Sequence, residues 1–165
     1  MSNLPIVKSD AGQRGNEIIQ LVTFELAAEE YGVDVLAVRE IIRVPAITKM
    51  PNAPAFLDGI INLRGTVVPI VSLRRRFNLS EQEQDRRSRI LVMEVASGLT
   101  GFVVDAVAEV IRISESEIQP PPSLAQHGAA QDCITGVVNH NDRLLIVLDL
   151  DKSFSDEERR AFESI

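Results

Sequence analysis

The chain is written twice. Residues 21–44, LVTFELAAEEYGVDVLAVREIIRV, lie over residues 90–113, ILVMEVASGLTGFVVDAVAEVIRI, with nine identities in 24 positions at an offset of 69. Most of the remaining positions exchange one apolar residue for another. Residues 57–77 then lie over 134–154 at an offset of 77, matching Gly59 with Gly136, Asn62 with Asn139, Leu73 with Leu150 and Phe77 with Phe154. The offset changes because the connector 114–133, which carries Pro120–Pro122, is longer than its counterpart 45–56. An internal repeat limits the fold to a duplicated unit or to units that share a core.

Each repeat has the same strand pattern. Segments 18–26 and 31–38 are rich in β-branched residues, with Ala27 to Glu30 between them as a turn. Leu36, Val38, Ile41 and Ile42 fall at near-helical spacing, which predicts a short helical turn over 36–42. Pro45, Pro51 and Pro54 bar a central strand from the connector, although a short added strand is compatible with it. A hairpin of strands 58–63 and 66–72 follows, then a short helix within 72–77. This gives four or five strands per half, which favours small barrels. A half of this size has a marginal core alone, so one lobe per repeat is expected, the two packed face to face around a groove. Three regions are expected: an N-terminal arm, 1–16, polar, patternless and mobile; a folded region, 17–155, from repeats 21–77 and 90–154; and a C-terminal helix, 155–165. Ser155 and Glu158 are spaced as a capping box at the start of that helix.

Bulk properties narrow the function. The formal charge of −7 and the 4% aromatic content, with no Trp, argue against a nucleic-acid surface. The one basic cluster, Arg74–Arg76 followed by Arg86, Arg87 and Arg89, is expected to be a solvated rim. A single cysteine, Cys133, excludes an internal disulfide and fits a reducing cytoplasm. The N-terminal stretch lacks a signal-peptide core, and no apolar run is long enough to span a bilayer. Cys133, His127 and His140 form no close metal-binding spacing, so neither metal nor cofactor is expected. Cys133 reads as a buried small residue. Of the carboxylates Asp34, Glu40, Asp105 and Glu109, the glutamates recur at matching positions of the two repeats, and a duplicated structural role accounts for them more simply than duplicated catalysis. A small enzyme or ligand carrier using Asp34, Glu40 or Asp105 would need an enclosed pocket with converging polar groups.

The two hairpin tips differ where their strands agree. The first reads Asn62-Leu63-Arg64-Gly65 and the second Asn139-His140-Asn141-Asp142. Asn-Asp is the better turn pair, so the first hairpin does not need Arg64 for its turn. A planar five-donor fork at an exposed tip suits a partner's carboxylate or carbonyls. A solvated tip or an internal pair with Glu40 is the alternative.

FELAAEEYGVDVLAVREI, FLDGIINLRGTVVPIVSL and GFVVDAVAEVI, in that order, resemble the CheW family of chemotaxis coupling proteins over roughly residues 18–155. NLRG followed by VPIV is the most specific element. The resemblance implies a mainly β fold of two SH3-like five-stranded β-barrel lobes with short helices. It implies a cytoplasmic, non-enzymatic adaptor that joins the tips of methyl-accepting chemoreceptors to the regulatory domain of the histidine kinase CheA. A coupler for a pilus or other array is the alternative. It places the receptor tip in the groove between lobes, at Val38, Glu40, Ile41, Gly59, Asn62, Arg64 and Gly65, and the kinase on edges near Ile47 and Pro51. One departure stands out: the family often has Asp after VPIV, and here the residue is Ser72, with Asp149 at the matching position of the second repeat.

Overall fold

Among the described residues, ten strands form two five-stranded sheets, and neither sheet is made from one repeat. The computed structural model describes residues 17–95, 98–121 and 132–163. The first repeat supplies β1 (Ile18–Leu26), β2 (Glu29–Asp34), β3 (Val38–Arg43), β4 (Leu57–Leu63) and β5 (Thr66–Ser72), followed by helix α1 (Leu73–Arg76). The second supplies β6 (Arg89–Val95), β7 (Gly98–Val104), β8 (Ala106–Ser114), β9 (Ile134–His140) and β10 (Arg143–Leu148), then helix α2 (Asp156–Glu163). Lobe I has the strand order β8-β1-β2-β10-β9, and lobe II has β3-β6-β7-β5-β4. Each lobe therefore joins the first two strands of one repeat to the last three of the other. The expectation of one lobe per repeat is corrected by this exchange. The proposed arm, 1–16, and His127 lie outside the described residues.

Burial explains the exchange. In β6, Ile90 and Val92 face lobe II's own cluster with Ile61, Val68 and Ile70. The alternate residues Leu91, Met93 and Val95 face a second cluster, shared with Val22, Phe24 and Leu26 of β1 and with Phe102 of β7. Leu21 of β1 turns the other way, into lobe I's cluster with Ile111, Val138 and Leu145. β1 and β6 are thus apolar on both faces and must be covered on both. Staying within its own repeat would leave each with one face in water. Crossing the chain over after β2 and after β7 stacks the sheets and buries that face.

Each sheet curls so that a single bridge links its two edges. Thr48, in the connector after β3, exchanges two backbone hydrogen bonds with Ile60 of β4, at 2.9 and 2.8 Å. Gln119, after β8, does the same with Val137 of β9, at 2.8 and 2.9 Å. The connectors therefore add one bridge each rather than a strand, and each bridge links the two edges of an SH3-like five-stranded sheet. That bridge explains the Gly59/Gly136 match. A Cβ on Gly59 would lie 2.2 Å from the Thr48 carbonyl oxygen, and one on Gly136 would lie 2.7 Å from that of Gln119.

The helical turn expected over 36–42 is confined to a single 3-10 turn, Val35–Ala37, and strand β3 starts at Val38. The misleading spacing comes from a β-bulge. Val38 opposes Met93 and Glu40 opposes Val92, which leaves Arg39 unpaired. The extra residue resets the alternation, so Val38 packs on the shared cluster and Ile42 on lobe II's cluster. The second repeat has the same bulge at Ala108, between Val107 and Glu109. There the Thr23 hydroxyl donates to the Glu109 carbonyl and accepts from the Glu109 N–H, both at 3.1 Å.

Candidate functional site

The β4–β5 hairpin closes through two left-handed residues, Arg64 (φ 51°) and Gly65 (φ 93°). This is the two-residue turn whose twist matches that of the flanking strands. Asn62 accepts a hydrogen bond from the Gly65 N–H at 2.7 Å. The β9–β10 hairpin closes identically with Asn141 (φ 53°) and Asp142 (φ 63°). Asn and Asp tolerate this conformation through local hydrogen bonding, whereas Arg gains nothing from it. The first tip thus holds a residue that the turn disfavours.

Arg64 reaches from the β4–β5 tip to the other edge strand and pairs with Glu40 on β3. Its side chain stays 70% exposed, against 31% for Glu40. The hydrogen bond and charge of Glu40 raise the Arg64 pKa further, so the guanidinium is permanently charged. Glu40 orients the fork while most of its donors face solvent. Ile41, 40% exposed, stands beside Glu40, and Val67, 55% exposed, opposes Asn62 across the hairpin. The charged fork at this exposed tip can grip a partner's polar atoms, while Ile41 lies on the opposite face of β3 from Glu40.

The other expected positions separate. Val38 is half-buried against the shared cluster. Gly59 is buried beneath Thr48, so its role is to admit the connector. Gly65 is exposed, with open space where a side chain would stand. Ile47 packs against lobe II's cluster, and Pro51 is exposed on the connector.

The groups that an enzyme would need do not converge. Asp34 accepts a hydrogen bond from the Leu36 N–H at 2.9 Å and caps the 3-10 turn. Asp105 accepts from the Ala27 N–H at 2.9 Å and from both ends of the Arg74 fork at 3.0 and 2.6 Å. Burial pushes its carboxyl up, but those hydrogen bonds and the Arg74 charge outweigh it, and its pKa ends below the ordinary value. Glu40 belongs to Arg64. Cys133 is fully buried, and burial pushes its thiol up to about 12. Among the described residues, no group of His, Cys, Asp and Glu is arranged to hold a metal ion.

Arg74–Arg76 are not a solvated rim, whereas Arg86 and Arg87 are exposed as expected. Arg74 binds Asp105, and Arg75 pairs with Asp58 and donates to the Ala55 carbonyl at 2.6 Å. Arg76 lies over the rings of Phe56 and Phe154, at 4.6 and 5.3 Å, and grips Glu158 of α2 with two hydrogen bonds at 2.8 and 2.5 Å. These donors tie the molecule together and are turned away from any phosphate backbone. Ser72 answers the departure noted in the sequence. It caps α1 by accepting from the Arg75 N–H, as Asp149 caps the turn after β10 by accepting from the Asp151 N–H. Either residue type can fill such a position.

The CheW-like domain model matches residues 20–158, nearly all of the described structure. The chain belongs to the CheW family. Its similarity runs at 38% identity over 147 residues to the chemotaxis protein CheW of Treponema pallidum, covering 87% of this chain and 86% of that one. Against the CheW of Klebsiella aerogenes it is 33% over 165 residues, covering 100% and 98%. The crystal structure of the scaffolding protein TtCheW of Thermoanaerobacter tengcongensis superposes with a TM-score of 0.77 at 36% identity, covering 84% of this chain and 94% of that chain. The mainly β, two-lobed architecture is thus that of CheW. Within this CheW-like chain, one prominent surface residue escaped the sequence reading: Leu36, which is 88% exposed. The available signal was the repeat itself, which sets Leu36 against Asp105.

Proposed function

We propose that this chain is a chemotaxis coupling adaptor that joins the cytoplasmic tips of chemoreceptors to the histidine kinase CheA and does no chemistry of its own. Membership of the CheW family supports the coupling role. The exposed Arg64 fork, held in a turn conformation that its twin hairpin achieves more cheaply with Asn141 and Asp142, is the observation that carries the assignment of a surface. The receptor tip is a helical hairpin in this reading. It would lie across β3 and the β4–β5 tip, with Arg64 bonded to its carboxylates or helix-end carbonyls, Asn62 and Gly65 shaping the tip, and Ile41 beneath its apolar stripe. Glu40 and Val38 set the height and angle of that surface, and Gly59 keeps the lobe closed beneath it. The kinase edge is assigned to the connector around Pro51, with Ile47 as its support from below.

Affinity co-purification of the tagged chain from cells tests the coupling role. The expected result is that a chemoreceptor and a histidine kinase come down together and that Arg64→Glu loses the receptor while keeping the kinase. Recovery of neither protein with the wild-type chain would overturn the proposal.

A further inference from the structure

The comparison of repeats that isolates Arg64 also isolates a second set of arginines. At the start of β6, Arg89 stands directly opposite Arg43 of β3. Like charges in facing positions of a sheet weaken the pairing. At the twin position in lobe I, Arg112 of β8 faces Gln20 of β1. Gln20 matches Arg89 at the repeat offset of 69, and Glu17 matches Arg86 at the same offset. The fold therefore forms this corner with a neutral and an acidic residue in lobe I and places two arginines there in lobe II. Neither arginine is needed for the strands to pair.

Arg43, Arg86 and Arg89 surround a shallow hollow of about 290 Å³ where β3 ends and β6 begins, with Val44 and Gln84 beside them. Eight other arginines of the described residues are held in ion pairs, and these three form none. Arg43 and Arg86 are exposed. Arg89 is half-buried and donates to the carbonyls of Arg86 and Ser88, both at 2.8 Å, which fixes its guanidinium without neutralising it. Asp85 also lines the hollow, but its carboxylate accepts from the Arg87 N–H at 2.8 Å and pairs with none of the three. The lining stays cationic. Residues 1–16, 96, 97 and 122–131 hold one acidic residue, Asp10, against Lys8 and Arg14, so they bring no neutralising charge.

We propose that the Arg43–Arg86–Arg89 hollow is a docking surface for an acidic segment of a partner protein, one that sets two or more Asp or Glu carboxylates beside an aliphatic side chain. Three unpaired guanidiniums around one small hollow repel each other, and carboxylates placed between them relieve that repulsion. The planar forks take carboxylates two donors at a time, and Val44 supplies the apolar contact. The Asp85 carboxylate opposes a doubly charged phosphate more than a singly charged carboxylate, and no aromatic ring lines the hollow to stack a nucleic-acid base. Alternation along β3 puts Arg43 on the face that carries Ile41, away from Glu40, so the hollow is separate from the Arg64–Glu40 pair.

The probe is the blocked hexapeptide Glu-Val-Glu-Glu-Val-Glu, titrated into the ¹⁵N-labelled full chain. Saturable shifts centred on the amides of Val44, Arg86 and Arg89 are expected, and they should weaken as salt is raised. Affinity should fall about threefold in Arg43→Gln and about tenfold in the Arg43→Gln/Arg89→Gln double variant. The same peptide with glutamine for glutamate should give no shifts. Arg43→Gln changes an exposed side chain, and Arg89→Gln reproduces the residue that lobe I already uses, so both variants are expected to fold. Absence of shifts at these amides at millimolar peptide, equal affinity in the double variant, or equal binding of the glutamine peptide would each overturn the proposal. Displacement of the peptide by equimolar inorganic phosphate would overturn it in favour of a phosphate site.

Discussion

At the residue scale, the decisive comparison is between Arg64 and Asn141. Both occupy the first position of a two-residue turn with φ near 50°, at 51° and 53°. Asn suits that conformation and Arg does not, so Arg64→Asn is expected to leave the melting temperature equal or higher. A fall in melting temperature would mean that the pair with Glu40 is structural. Gly59 predicts the opposite. Gly59→Ala sets a methyl group 2.2 Å from a carbonyl oxygen and opens the Thr48 bridge, so it should cost roughly 2 kcal/mol in denaturant unfolding. A loss confined to receptor binding, with stability unchanged, would return Gly59 to the surface. The two residues show what was legible. Arg64 stood out in the sequence as spare for its turn, and Gly59 was assigned to the receptor surface through the family resemblance. What the sequence did not show for Gly59 is the connector crossing overhead, a tertiary event between residues eleven positions apart on a bent chain.

At the element scale, strands were legible and crossings were not. β1 and β5 stand where alternation and β-branching put them, because both features report the pleat directly. The helical spacing in 36–42 misled because a bulge shifts the alternation by one residue, and nothing local distinguishes that from a turn of helix. The basic run after β5 was likewise misread, since its ion-pair partners Asp58, Asp105 and Glu158 are distant in sequence. The capping box of α2 was legible because it is local: Glu158 accepts from the Ser155 N–H at 2.9 Å, and Ser155 accepts from the Glu158 N–H at 3.1 Å. Glu158 also gives α2 a pH dependence. Hydrogen bonds from Arg76, more than any other cause, lower its carboxyl below the ordinary 4.5. A carboxyl with a lower pKa folded than unfolded stabilises the docked helix at pH above the unfolded value, and this is lost as pH falls through the folded value. Amide exchange in α2 should therefore quicken below about pH 4.5 relative to the β-sheets, and Glu158→Gln should show fast exchange already at neutral pH. An unchanged exchange profile in Glu158→Gln would show that α2 is held by other contacts.

At the scale of the molecule, strand exchange makes two lobes into one cooperative body. The shared cluster draws Phe24 and Leu26 from lobe I and Leu91 and Phe102 from lobe II, all fully buried. Leu91→Ala should cost about 2–5 kcal/mol and shift a single unfolding transition seen alike by probes in either lobe. Two separated transitions would mean that the lobes fold apart. That the chain is duplicated was plain in the sequence; that the halves trade strands was not, because pairing is set by which apolar faces need cover. A rigid body of this kind holds the Arg64 surface in a fixed orientation, which suits a coupler. The central claim is that Arg64 serves a partner rather than the fold. Calorimetric titration of a soluble receptor signalling tip into the wild-type chain and into Arg64→Asn tests it directly. The expected result is a properly folded variant whose affinity for the tip is about thirtyfold weaker. Equal affinity in a folded Arg64→Asn chain would contradict it.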